Sequence, residues 1–249
     1  MNIKSNYIKP KFKKESNPKV GLLALSTDLT IEKDFNSICN KLPLDIFVNR
    51  IHNENPLTKE NLLKMYEQIE SITEKILPGE KISTVAYACT SGTIAIGEDK
   101  VKEKIQLAKP GCQVTTPITS AIKAFKKMNA KKIAVFTPYP ESVNKTIYEY
   151  LIKKNINVMS FSTFNLDLDA DIARVDPKYL FDTLSKLDIN DADALFISCT
   201  ALPALEILDD VEKKIKKPVF SSNQTLIWDT IRSVGYQSSI EGYGKLLRN

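Results

Sequence analysis

One pattern occurs twice in this chain, and that repetition limits its fold more than any other feature. The β-forming run "KVGLLALSTD" (19–28) opens onto the helical "LTIEKDFNSICNKL", and "KKIAVFTPYP" (131–140) opens in the same way onto "ESVNKTIYEYLIKKN". A second strand follows each, "LDIFVNRI" and "INVMSFSTF". A helical stretch comes next, "TKENLLKMYEQIESITEKIL" and "DPKYLFDTLSKLDI", the latter entered through an Asp-Pro start signal. Third strands run into "VAYACTSGT" and "LFISCTALP", followed by amphipathic segments predicted as helices, Thr93 to Leu107 and Ala201 to Ile215. A Pro-marked short strand ("KPGCQVTTP", "KKPVFSSN") and a last helix ("ITSAIKAFKKMNA", "QTLIWDTIRSVG") close each unit. The repeats span 19–130 and 131–235.

Strands alternating with helices imply parallel sheets covered by helices, because parallel neighbours need a crossover connection. The expected fold is α/β: two duplicated, Rossmann-like domains, each with a four-stranded parallel sheet, related by a pseudo-two-fold axis with the active site between them. The expected divisions are a basic, poorly ordered tail (1–18), a first domain (19–119), a second domain (120–222) and a segment 223–249 that packs back onto the first. Ligands of such sheets sit beyond the carboxyl ends of the strands. "STD" (26–28), "TTP" (115–117), "TPY" (137–139), "SSN" (221–223) and two cysteines all belong there.

Composition narrows the function classes. With 249 residues, 43% of them hydrophobic, the chain has ample material for a buried core. No run nears the roughly 18 apolar residues of a membrane span, and the amino-terminal lysines lead into no apolar stretch, so a cytoplasmic protein without a membrane partner is expected. Of the net charge of +5, residues 1–18 hold +4, from Lys4, Lys9, Lys11, Lys13, Lys14 and Glu15. The body therefore lacks the basic bias of a nucleic-acid binder, and the tail reads as a solvated extension. Four cysteines with no Cys-x-x-Cys pair and a single histidine, His52, leave no zinc ligand set. Neither usual glycine-rich phosphate loop occurs, so no nucleotide cofactor is indicated.

The chemistry points to Cys89 and Cys199. They occupy equivalent points of the repeat, each followed by Thr at a strand-to-helix junction, whereas Cys39 and Cys112 read as small core residues. A cysteine in the first turn of a helix meets free backbone N–H groups, which favour thiolate and lower its pKa from about 8.5. Two such groups facing one substrate form an acid/base pair, one taking a proton from carbon while the other delivers one. Alternatively, one thiolate adds to an activated double bond and leaves after rotation. Hydroxyls of Thr90, Ser91 and Thr200, with nearby backbone N–H groups, suit a substrate carboxylate. Tyr139 in "TPYPES" either hydrogen-bonds a substrate oxyanion or packs in the core.

These residues resemble the aspartate/glutamate racemase superfamily. Within it, "GLLALSTDLTIEKDF", "YACTSGTIAIG", "TPYPESVN", "FNLDLDADIARVDP", "SCTALPALEIL" and "PVFSSNQTLIWDTIR" are most similar to the branch that holds maleate cis-trans isomerase, arylmalonate decarboxylase and the ectoine-utilisation racemase-like protein. The resemblance spans about 19–240. It implies two duplicated α/β domains with a cysteine from each at their interface, no cofactor, and a homo-oligomer, a dimer or larger. It also implies departures. Glutamate racemases have an Asp-Ser-Gly-x-Gly-Gly stretch after the first strand and a histidine just behind the second cysteine, where this chain has "STDLTIE" and "SCTALP". Maleate isomerases have asparagine near the places of Asp28 and Asp169, where they hold substrate carboxylate. A carboxylate there repels a second carboxylate and attracts an ammonium, which turns the expectation towards an amino acid. Asp28 serves equally as an N-cap for "LTIEKDF".

The expected activity is thus a cofactor-independent isomerase or racemase acting next to a carboxylate of a small, amino-bearing acid, in the ectoine-utilisation branch. The alternatives are a maleate cis-trans isomerase, an arylmalonate-type decarboxylase needing one cysteine, and, from another class, a small-molecule binding protein needing none.

Overall fold

The computed structural model describes residues 5–12 and 17–249. The expected order of the tail falls partly on residues 1–4 and 13–16, outside the described residues; residues 5–12 are exposed and without regular structure. From Pro18 onward the chain runs β1 (Lys19–Leu25), α1 (Ile31–Cys39), β2 (Asp45–Ile51), α2 (Lys59–Lys64), α3 (Tyr66–Glu74), β3 (Thr84–Tyr87), α4 (Thr90–Ile96), α5 (Glu98–Ala108), β4 (Gln113–Thr115) and α6 (Pro117–Lys127). The second unit follows with β5 (Lys132–Thr137), α7 (Glu141–Lys153), β6 (Asn157–Thr163), α8 (Asp169–Ile172), α9 (Pro177–Leu184), β7 (Ala194–Ile197), a 3-10 turn (Leu205–Ile207), α10 (Leu208–Ile215), β8 (Val219–Ser221), α11 (Ser222–Ser233) and α12 (Lys245–Arg248).

Two four-stranded parallel sheets result, ordered β2-β1-β3-β4 and β6-β5-β7-β8, the identical order that a duplication requires. The interior strands carry the apolar runs. Val20–Leu25, Thr84–Tyr87, Ile133–Thr137 and Ala194–Ile197 are buried throughout, as befits strands covered on both faces, while the edge strands β2 and β6 alternate with solvent. Helices α6 and α11, which close the two units, pack against each other; α11 also lies on β3 and β4 of the first sheet and α6 on β8 of the second. Phe125 of α6 meets Phe196 and Phe220 edge-to-face, joining the inter-unit packing to the second sheet's core.

Several predicted helices break where local chemistry demands it. The stretch 93–107 divides at Gly97, whose φ of +101° is open to glycine at little cost. The stretch 58–77 divides at Met65, a fully buried residue whose sulfur accepts from Tyr87 Oη at 3.7 Å. The largest departure follows Cys199. Residues 198–204 form no helix, because Pro203 has no N–H to donate and disfavours helical geometry at Leu202. No helix among the described residues is long and apolar enough to cross a membrane.

Candidate active site

Cys89 follows β3 directly and caps α4. Its backbone is extended (φ −143°, ψ 112°), and its sulfur accepts the Gly92 N–H at 3.2 Å, with Ser91 Oγ 3.9 Å away. Cys199 follows β7 but sits in a bend with φ of +150°, a costly conformation for a side-chain-bearing residue. The expectation that both cysteines begin helices therefore holds for Cys89 and fails for Cys199. In place of a helix terminus, the Tyr139 hydroxyl and the Ala201 N–H act on the Cys199 sulfur and favour its charged form. Tyr139 is fixed through its main chain: Thr137 Oγ1 accepts its N–H at 3.2 Å, and Asn144 Nδ2 and Thr163 Oγ1 donate to its carbonyl at 2.7 and 2.6 Å.

The sulfurs are not depressed towards thiolate. Burial pushes Cys89 up to about 12, opposed by the Gly92 N–H and reinforced by Asp169 and Asp28. Burial also pushes Cys199 up, with Asp169 adding to the effect and Tyr139 opposing it. The sequence reading weighed helix-terminal N–H groups alone; desolvation and the two carboxylates supplied by tertiary packing act in the opposite direction. Both effects favour the thiol form at neutral pH.

The charges acting on both sulfurs are thus Asp28 and Asp169, one from each unit. Of the two roles that the sequence left open for Asp28, the structure shows the one at the start of α1. Its Oδ1 accepts the N–H groups of Thr30 and Ile31 at 2.8 and 2.9 Å, starting α1, while its Oδ2 is buried without a partner. Asp169 Oδ2 accepts from Thr27 Oγ1 at 2.5 Å and from Asn53 Nδ2 at 3.0 Å, and burial raises its pKa. Asn53 escaped the sequence reading: it lies just beyond β2 in a polar stretch with no motif to mark it.

The predicted binding hydroxyls are placed less uniformly. Ser91 borders Cys89, but Thr90 Oγ1 is paired with Ser222 Oγ at 2.9 Å and Thr200 Oγ1 faces the Ala88 carbonyl at 3.4 Å, so these two link the units. Thr200 stands at no helix start, for the Pro203 reason given above. His52 is exposed and outside the cluster. All eight predicted residues are buried, and Leu57 N–H donates to the Asp167 carbonyl at 3.0 Å beside the Asp169 contacts.

Around Cys89 the packing leaves no slack. A Cβ on Gly92 would lie 2.7 Å from the Cys89 sulfur, 2.7 Å from Met65 Cε and 3.1 Å from Tyr87 Oη. Gly92→Ala is expected to displace the thiol and lower turnover about a hundredfold, since misplacement of a reacting group by about 1 Å has that effect. Steady-state kinetics beside a melting curve checks this; unchanged turnover would mean that the Cys89 position is not critical.

The same fold is found in known proteins. The chain is 24% identical to a maleate isomerase of Geobacillus stearothermophilus over 92% of its own length and 96% of the relative's. It is 26% identical to an arylmalonate decarboxylase of Bordetella bronchiseptica over 55% of its length and 58% of the relative's. Among solved structures, a cysteine-to-alanine maleate isomerase from Pseudomonas putida S16 with maleate superposes with a TM-score of 0.85 at 20% identity, covering 94% of this chain and 98% of that one. A Nocardia farcinica maleate cis-trans isomerase mutant with a covalently bound succinylcysteine intermediate superposes with a TM-score of 0.86 at 19% identity, covering 94% and 99%. The family model for arylmalonate decarboxylase matches residues 60–247, from α2 to the last helix and through both cysteine strands. The chain therefore belongs to the arylmalonate decarboxylase family.

Proposed function

We propose that this protein is a cofactor-independent isomerase of a small carboxylate, working by the maleate isomerase type of chemistry with Cys89 and Cys199 as its two reacting groups. The observation that carries this reading is the cluster itself: two buried thiols from equivalent points of two sheets, sharing Tyr139, Asp28 and Asp169 as neighbours. The full-length maleate isomerase relatives favour cis-trans isomerisation over the racemisation that the aspartates suggested.

The reaction begins when one of the two thiols releases its proton to water, so that the pair holds one proton. The thiolate adds its electron pair to one alkene carbon, forming a C–S bond; the π electrons take the proton of the opposite thiol at the neighbouring carbon. The intermediate is a succinyl thioether, the species held by the Nocardia relative. Rotation about the new C–C single bond follows. The second sulfur then recovers the proton, and the C–S bond breaks to restore the alkene in its trans form. Tyr139, hydrogen-bonded to Cys199, steadies that sulfur whenever it is charged.

A second reading has its own observation. The partnerless Asp28 Oδ2 and the buried Asp169 offer an ammonium two anionic neighbours, which favours an amino acid and proton-transfer racemisation.

Proton NMR in deuterated buffer separates the readings, with maleate, aspartate, glutamate, diaminobutyrate and an arylmalonate as substrates. Fumarate formed from maleate is the expected result. Deuterium uptake at the α-carbon of an amino acid, without fumarate, would replace it with the second reading; release of carbon dioxide would assign a decarboxylase. Asp28→Asn keeps an oxygen for the α1 cap and removes the charge, so kcat/KM for maleate is expected to rise at least about tenfold, as lifting a charge repulsion of about 1.4 kcal/mol would do.

A further inference from the structure

The first turn of α11 holds the two cysteine loops together. Ser222 Oγ accepts the Cys199 N–H at 3.0 Å and meets Thr90 Oγ1, the neighbour of Cys89, at 2.9 Å. The next residue, Asn223, donates through Nδ2 to the Thr200 carbonyl at 2.9 Å and to Asp34 Oδ2 at 2.7 Å. Thr30 Oγ1 donates to the same Thr200 carbonyl from the start of α1. The peptide joining Cys199 to Thr200 lies between these contacts, so consecutive α11 residues grip the chain on both sides of it.

This grip accounts for the backbone of Cys199. A non-glycine residue at φ +150° persists only where its surroundings over-determine it. The amide orientation of Asn223 is determined too: both contacts of its nitrogen are acceptors, so Nδ2 and not Oδ1 must face them.

We infer that Ser222 and Asn223 are positioning residues that set the Cys199 thiol against Cys89, and that Asp34 is the anchor that orients Asn223. The inference deepens the proposed function, since it takes Cys199 as a reacting group. Asp34 adds a pH dependence. Burial raises its carboxyl to about 7, the Asn223 hydrogen bond opposes that rise, and Asp28, Lys33 and Glu206 are its charged neighbours. Of these, Asp28 comes from the β1–α1 turn, Lys33 from α1 itself, and Glu206 from the 3-10 turn, where it pairs with Lys33 at 3.6 Å. The ionised carboxylate accepts the Asn223 amide more strongly than the neutral acid does, so the grip tightens as pH rises through about 7.

The test combines turnover with thiol reactivity. Ser222→Ala and Asn223→Ala are expected to lower kcat about ten- to hundredfold with KM changed less than about threefold, while Ser222→Thr restores most of the loss. Asp34→Asn is expected to flatten the limb of the kcat–pH profile near pH 7. Independently of any substrate, mass spectrometry follows iodoacetamide labelling of each cysteine at mildly alkaline pH. Ser222→Ala should change the Cys199 rate at least about tenfold and leave Cys39 and Cys112 unchanged. Loss of activity in proportion to lost thermal stability, or an unchanged Cys199 labelling rate, would overturn the inference. If wild type turns over none of the substrates, the proposed function fails, and the labelling rates still decide the positioning role.

Discussion

Cys89→Ala and Cys199→Ala are each expected to lower turnover by at least about a thousandfold while leaving the fold intact, because in the proposed reaction each removes a group that forms or breaks a bond to the substrate. Both side chains are small and buried, so alanine leaves little empty volume and the melting temperature should move by only a few degrees. The double variant is expected to be no worse than the weaker single one, since two halves of one proton relay do not fail independently. Serine at either place keeps the size and loses the nucleophile, and should behave like alanine. Steady-state kinetics on purified, folded variants checks this. If one variant keeps near-wild-type activity, a single-thiol decarboxylase replaces the isomerase; if both do, neither thiol is a reacting group and the two-cysteine chemistry falls.

Alkaline pH should destabilise the protein more than it does a typical domain. All four cysteines are buried. Cys39 and Cys89 are raised to about 12 and Cys112 to about 11, each chiefly by burial, and Cys199 is raised as well. A group whose folded pKa lies above its unfolded value contributes stability below the unfolded value and loses it as pH rises towards the folded one. At pH 10 the unfolded chain releases thiol protons that the native state retains. With the ordinary thiol value taken as 9.0, each thiol then costs about 1.4 kcal/mol relative to neutral pH, and the four together roughly 5 to 6 kcal/mol. That approaches the whole net stability of many domains, about 5 to 15 kcal/mol. Urea unfolding at pH 7.5 and pH 10 under reducing conditions measures the loss. In a Cys39→Ala/Cys112→Ala variant about half of it should disappear, which separates the thiols from other alkaline effects. A stability unchanged up to pH 10 would show that the thiols are not held neutral in the fold, and with it the claim that Cys89 and Cys199 rest protonated would fall.

Those two expectations draw on different layers of information. The equivalence of Cys89 and Cys199 was legible in the sequence, because a duplicated strand-helix order forces both cysteines to the carboxyl edge of a sheet. Asp28 was legible for the same reason, as the last residue of "STD" after β1, and its contacts at the start of α1 match one of the two roles that the sequence offered. The break after Cys199 had a signal that the amphipathic pattern outweighed: Pro203 stands four residues on, inside what periodicity read as one helix. The state of the thiols had no such signal, since desolvation depends on what lies above the sulfur and not on its neighbours along the chain. Asn53 and Asp34 were equally invisible. Asn53 meets Asp169 across 116 positions and Asp34 meets Asn223 across 189, and no local pattern encodes either contact.

Sequence alone therefore determined the architecture, the two thiols and the acidic character of their surroundings, because strand period, helix period and repetition are local properties that survive without knowledge of the fold. Tertiary structure alone decided that the thiols rest neutral, that Cys199 is held by α11 instead of a helix of its own, and that one oxygen of Asp28 is left free. Each of these depends on burial and on hydrogen bonds between residues distant in the chain, which come into being only when the two sheets close on one another.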